Sequence, residues 1–167
     1  LGVIYTIGPY LLPPLVKAGA RANRLDLARW LVAPEHPLVA RVTVNRFWQQ
    51  VFGTGLVKSS HDFGTQGDLP SHPELLDGLA LHFQQTGWNV KGLMRLMLTS
   101  ETFRRTSAAP AEAWQADPDN RFLARGTRFR LDAEQLRDQA LFAGGLLDLT
   151  MGGRGVNPYQ PLNIWEP

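Results

Sequence analysis

"PLVARVTVNRFWQQVFG", residues 37–53, decides the fold. Val44, Phe47, Trp48, Val51 and Phe52 recur at the i, i+3, i+4, i+7, i+8 spacing of one helix face, and Gly53 stands where a helix closes on a left-handed residue. A helix with five large apolar side chains along one side needs another apolar layer to cover it. Its other side carries Arg41, Asn45 and Gln49 at successive steps of four, with Arg46 and Gln50 beside them. That stripe reads as solvated surface or as one wall of a polar cleft, which makes Arg41, Asn45 and Gln49 candidate ligand contacts.

The flanking sequence supplies further layers. Upstream, Asn23 is a plausible N-cap for a short helix with Leu25, Leu27, Ala28, Leu31 and Val32 on its apolar face, stopped by Pro34. Downstream, "SHPELL" opens a third helix through Leu75, Leu76, Leu79, Ala80 and Phe83. A fourth runs from Asn89 with Val90, Leu93, Met94, Leu96, Met97 and Leu98, apolar over much of its circumference and so expected at the centre. The last, "LDAEQLRDQALFAGGLL", carries a D-x-x-Q form of the capping box in Asp132 and Gln135.

These elements predict an all-α fold, an irregular bundle of about five helices arranged around the second, fourth and last, with a long ordered loop and an irregular C-terminal tail. Residues 1–22 form an extended lead-in with a short strand at 3–7, residues 23–150 the helical domain, and residues 151–167 a tail packed on the domain or on a missing partner. Residues 107–119 read as a flexible connection, followed by a short helix around 120–125.

The loop at 53–71 has no sustained period, and loops of that length are often functional. At its end Ser71 and Glu74 make an S-x-x-E capping box, and Pro73 falls in the first helical turn, where a missing N–H costs nothing. The box explains Ser71 and Glu74 structurally but leaves His61, Asp62 and His72 without a task. If the loop folds back on itself, His61, Asp62, His72 and Glu74 converge into a set able to supply an acid and a base. No H-E-x-x-H spacing is present, so no metal ligands are assigned. "DFG" at 62–64 lacks the other kinase motifs, and there is neither a G-x-S-x-G elbow nor a phosphate-binding loop.

Composition narrows the field. The 167 residues are 44% hydrophobic, enough for one domain with a core. The absence of cysteine excludes disulfides, thiolate metal sites, cysteine nucleophiles and covalently attached c-type haem within the chain. Net charge is +2, distributed as +5 over residues 1–60, −4 over 61–120 and +1 over 121–167, a poor footprint for a nucleic-acid duplex.

Arg121, Arg125, Arg128 and Arg130 lie in ten residues without an acid. They suit phosphate, sulfate or carboxylate groups, or they pair with Asp117, Asp119, Asp132 and Glu134 on either side. Of five tryptophans, Trp114 and Trp165 fall in irregular stretches and are the candidates for a binding surface. "LGVIYTIGPYLLPPLV" at the start is broken by Gly8, Pro9, Pro13 and Pro14 and lacks a basic leader, so it reads as neither a membrane span nor a signal peptide. A first residue of leucine reads as a fragment or a processed product.

Five strings, "NRLDLARWLVAPEHPLVARVTVNRFWQQVFGTGLV", "DFGTQGDLPSHPELLDGLA", "GWNVKGLMRLMLTSETFRRTS", "DPDNRFLARGTRFRLDAEQLRDQAL" and "GGRGVNPYQPLNIWE", together carry a resemblance. In this order they resemble the C-terminal domain of unknown function of large planctomycete cytochrome-c-like proteins, over roughly residues 12–166. Gly78 departs from the pattern, which usually has a large aromatic there. The resemblance implies an exported protein, periplasmic or extracellular, tied through companion domains to polysaccharide breakdown or extracytoplasmic electron transfer. Any haem would sit in a companion domain, since no cofactor is expected in this chain.

Two functions follow as expectations. One is a non-catalytic module that packs on companion domains and binds a carbohydrate or other polyanion through the arginines. The other is a hydrolase-like enzyme acting on polysaccharide with its site at 61–74.

Overall fold

The computed structural model describes residues 12–19, 21–128 and 130–155. Among them are six helices and no strand: α1 (Arg24–Leu31), α2 (Val39–Phe52), α3 (Pro73–Gln85), α4 (Val90–Leu98), α5 (Ala111–Ala116) and α6 (Ala133–Ala143). The fold is all-α. The strand expected at 3–7, and Trp165 in the tail, lie outside the described residues. No described helix is long and apolar enough to cross a membrane. The chain divides into two compact units, Leu1–Phe129 and Arg130–Pro167.

The core of the first unit is the apolar face of α2 covered by α3 and α4. Val44, Trp48, Val51 and Phe52 of α2 meet Leu76, Leu79 and Phe83 of α3 and Leu93 and Met97 of α4, with Leu56 and Val57 added from the loop after α2. Trp48 stacks on Phe52 at 4.1 Å, and Phe83 takes Phe47 and Trp88 edge-on. Burying such side chains is the main favourable term of the fold, about 1.5–3 kcal/mol each. The central helices of the first unit are therefore α2, α3 and α4, whereas the sequence placed the last helix, which belongs to the second unit, in that role instead of α3. α6 has no buried residue. Its periodicity marked an apolar stripe, but a stripe by itself does not say which layer receives it.

Helix ends follow local chemistry. Asn23 caps α1, accepting from Leu25 N at 2.8 Å and Asp26 N at 3.1 Å, while Asp26 accepts from Asn23 N at 3.0 Å. Gly53 closes α2 with φ 81°. Gln135 accepts from Asp132 N at 3.4 Å, the return arm of the box that starts α6.

The box at Ser71 and Glu74 does not form. α3 begins one residue later, with Pro73 at its first position and His72 at the N-cap, without a side-chain cap. A proline disfavours the α region for the residue before it; His72 (φ −135°, ψ 81°) accordingly stands outside the helix, and Ser71 lies one step too far out.

Two further expectations are corrected between α4 and α6. The stretch expected to be a flexible connection contains α5. Residues 120–125, expected to be a helix, are instead a tight loop in which Asn120 and Leu123 adopt positive φ of 52° and 54°, a conformation that ends helices rather than continuing them.

Candidate functional site

Arg41, Asn45 and Gln49 of the polar stripe on α2 bond within the chain, while Arg46 and Gln50 beside them are exposed. Asn45 is fully buried. Its Nδ2 donates to Val57 O at 3.0 Å and Ser60 Oγ at 3.3 Å, and its Oδ1 accepts from Val57 N at 2.9 Å. The side-chain amide thus pairs with both backbone groups of Val57, as a strand neighbour would. Gly55 makes the approach possible: a Cβ there would lie 2.6 Å from Val57 O and 2.7 Å from Asn45 Nδ2.

Gln49 accepts from Ser60 Oγ at 2.6 Å. Arg41 donates from Nε to Asp77 of α3 at 2.6 Å and from its terminal nitrogen to Pro37 O. Together the three residues fasten α2 to α3 and to the loop at 53–60.

The residues at 61–74 are not gathered. His61 and Glu74 are exposed, and Asp62 and His72 half-buried. Asp62 Oδ1 accepts from Gly64 N at 2.7 Å, and Ser59 Oγ donates to Asp62 O and accepts from Asp68 N, both at 2.8 Å. His72 Nδ1 contacts Ser71 Oγ at 3.0 Å. No hydrogen bond or ion pair joins any two of His61, Asp62, His72 and Glu74, and no three His, Asp or Glu among the described residues are grouped to hold a metal ion. The loop closes through Ser59, Asp62 and the Ser71 N to Leu56 O bond of 2.8 Å, which is turn chemistry.

A polar cleft forms elsewhere, where the C-terminal end of α2 faces α5 and the loop after it. Phe52, Gly53 and Thr54 line one side, and Trp114, Pro118, Asp119, Asn120, Arg125 and Arg128 the other, around about 270 Å³. Arg125 builds this wall and is itself only 4% exposed. Its guanidinium donates to Ala113 O at 3.3 Å, Asp117 O at 2.7 Å and Pro118 O at 2.9 Å, and lies 3.9 Å from the centre of the Trp114 ring. The carbonyl cage and the ring face supply the negative potential that the expected acidic partners do not.

The Asp117 carboxylate is engaged by the backbone N–H groups of Arg121 and Phe122. Asn120 exchanges bonds with the backbone of Arg125. Asp119 pairs with Lys58 at 2.9 Å, and the Lys58 hydrogen bond and charge hold its carboxyl below the usual aspartate range. Arg128 is exposed, with Nε donating to Ser107 Oγ at 3.0 Å. Arg121 is half-buried and lines an adjoining crevice with Asp119, and Arg130 is exposed at the start of the second unit.

The structure therefore brings together Trp114, Arg125 and Arg128 from the sequence candidates. Asp119, Asn120 and Thr54 join them without having been marked as ligand contacts; for Asp119 and Asn120 the only signal was their place beside Trp114 and the arginine run, and for Thr54 there was none. His36 was also not singled out, yet it is 4% exposed with Nε2 unpaired. One signal was available: a histidine three residues before a helix start can reach the first free N–H groups.

Comparison with known proteins gives one match. The model of a family described as PSD1, protein of unknown function (DUF1553), covers residues 23–167. No curated protein and no solved structure matches the chain.

Proposed function

The chain belongs to the PSD1 family, whose function is unknown, and from that premise we propose a non-catalytic helical module of a larger exported protein of the planctomycete type. Its companion domains carry the chemistry, including any haem, and this module recognises a carbohydrate or other polyanion. The observation behind this reading is the meeting of Trp114, Arg125 and Arg128 with Asp119, Asn120 and Thr54 in one polar cleft.

The apolar face of a sugar stacks on an indole, and its hydroxyls take hydrogen bonds from flat polar side chains. At about 270 Å³ the cleft lies just under the usual range for drug-sized ligands, about 300–1,000 Å³, which suits one unit of a chain that runs past it. Arg128 stands exposed at the rim, where a forked donor can meet a sulfate or carboxylate. A hydrolase built on His61, Asp62, His72 and Glu74 draws no support from where those side chains lie.

Calorimetric titration with neutral, sulfated and carboxylated oligosaccharides, with product release followed in parallel, tests the reading. Binding is expected to weaken about tenfold in Trp114→Ala. In Arg128→Ala the loss is confined to the anionic ligands and shrinks with salt. A His61→Ala/His72→Ala variant binds as the parent does. Product release that this double variant abolishes would make the chain an enzyme, and an absence of binding by all three ligand classes would end the proposal.

A further inference from the structure

We propose that His36 is a proton-released latch: its neutral ring caps the start of α2 and closes the turn between α1 and α2, and protonating the ring opens that turn.

The first N–H groups of a helix have no partner within it. Leu38, the N-cap residue of α2, offers no cap from its side chain. His36 supplies one from outside, its Nδ1 accepting from Leu38 N at 3.3 Å and Val39 N at 3.4 Å. A ring that accepts at Nδ1 carries its proton on Nε2, and that atom is buried without a partner. The surroundings hold the ring in place. Trp30 of α1 meets it edge-on at 4.4 Å, the Trp30 indole N–H is tied to Pro13 O at 2.6 Å, and His36 N donates to Ala33 O at 3.0 Å.

A second proton acts against this arrangement in three ways. It removes the only acceptor and turns it toward two donors. It sets a positive charge at the positive end of a 14-residue helix. It also buries a cation whose other nitrogen has nothing to donate to.

Burial and the backbone, not a charged neighbour, set the ring's affinity for its second proton. The charged groups on the surrounding elements are Lys17 in the lead-in, Arg24, Asp26 and Arg29 on α1, Glu35 just before the histidine in sequence, Arg41 and Arg46 on α2, and Asp77, which Arg41 engages. Asp26 is occupied by Ala18 N and Asn23 N. Burial holds His36 below the ordinary histidine value of 6.5, partly offset by a hydrogen bond to its own backbone.

Because the closed state binds the proton less well than the open one, the closed state is fully favoured above about pH 6.5 and loses ground as pH falls through its own lower value. Between those two values the open population grows about tenfold per pH unit, the limit for one proton.

The test is a ¹H–¹⁵N NMR titration of the whole chain from pH 8 to pH 5 with hydrogen exchange at each step. Exchange at Leu38 N, Val39 N and the Trp30 indole, corrected for its intrinsic pH dependence, is expected to accelerate together as pH falls below 6.5, by at most about tenfold per unit. Exchange at Leu93 N should hold. His36→Asn keeps an acceptor near the Nδ1 position and cannot titrate, so its cap amides should not respond to pH. Cap amides that ignore the ring's titration, a midpoint at or above 6.5, or a pH response retained in His36→Asn would each overturn the latch. If His36→Asn does not fold, the parent decides alone, through whether the His36 ring shift and the cap amides share one midpoint.

Discussion

Removing the Asn45 amide would strand the N–H and C=O of Val57 inside the core and release Ser60. Each unpaired buried group costs about 1–3 kcal/mol. Asn45→Ala is therefore expected to lower stability by about 2–4 kcal/mol in urea denaturation, with Gly55→Ala also destabilising through the same contact. Arg125→Met should loosen the 117–125 loop, since three carbonyls lose their donor. The check is faster hydrogen exchange at Arg121 N and Phe122 N, the two amides bound by Asp117. At this scale the sequence was hardest to read. Steps of four placed Arg41, Asn45 and Gln49 on one side of α2 correctly, yet whether that side faces water depends on a loop folding over it. Arg125 stood among residues that suggested acidic partners, and its cage of carbonyls exists only once the loop has closed. His36 had no periodic neighbours to mark it.

Among the elements, the start of α3 separates two kinds of cap. Ser71→Ala is expected to cost under about 0.5 kcal/mol because its hydroxyl bonds no helix amide, whereas Asn23→Ala should cost about 1 kcal/mol in the same thermal scan. Gly78 offers the opposite sign. It is exposed in the middle of α3, and a Cβ there would meet nothing within 4 Å. Gly78→Ala should raise stability by about 1 kcal/mol, the difference in helix propensity. Helices were legible because they are local: apolar spacing gave α2, α3 and α4, and Asn23, Gly53 and Asp132 marked the start of α1, the end of α2 and the start of α6 as capping chemistry requires. The box at Ser71 failed where two local rules competed and the restraint of Pro73 on His72 won. α5 was missed because six residues show too little periodicity to register.

Over the molecule, the core of the first unit draws on α2, α3, α4 and two residues of the loop, so the loop should fall with the helices and not before them. Leu93→Ala, at a position 1% exposed, is expected to cost about 2–5 kcal/mol. Protection at Val57 N should be lost in the same transition as at α4, which native-state exchange can read. The all-α class was legible from periodicity, while the choice of central helices was not, because that depends on which apolar faces meet. The candidate cleft was half legible: Trp114 and the arginines were in view, but the face of Phe52 to Thr54 opposite them comes from 60 residues earlier in the chain. The clamp of Asn45 on Val57 also bears on the order of assembly. Its two ends are 12 residues apart, so closing this contact costs little chain entropy compared with bringing α3 and α4 into place. α2 and the turn that follows it can form an early nucleus, and substitutions at Asn45 should slow folding more than they hasten unfolding.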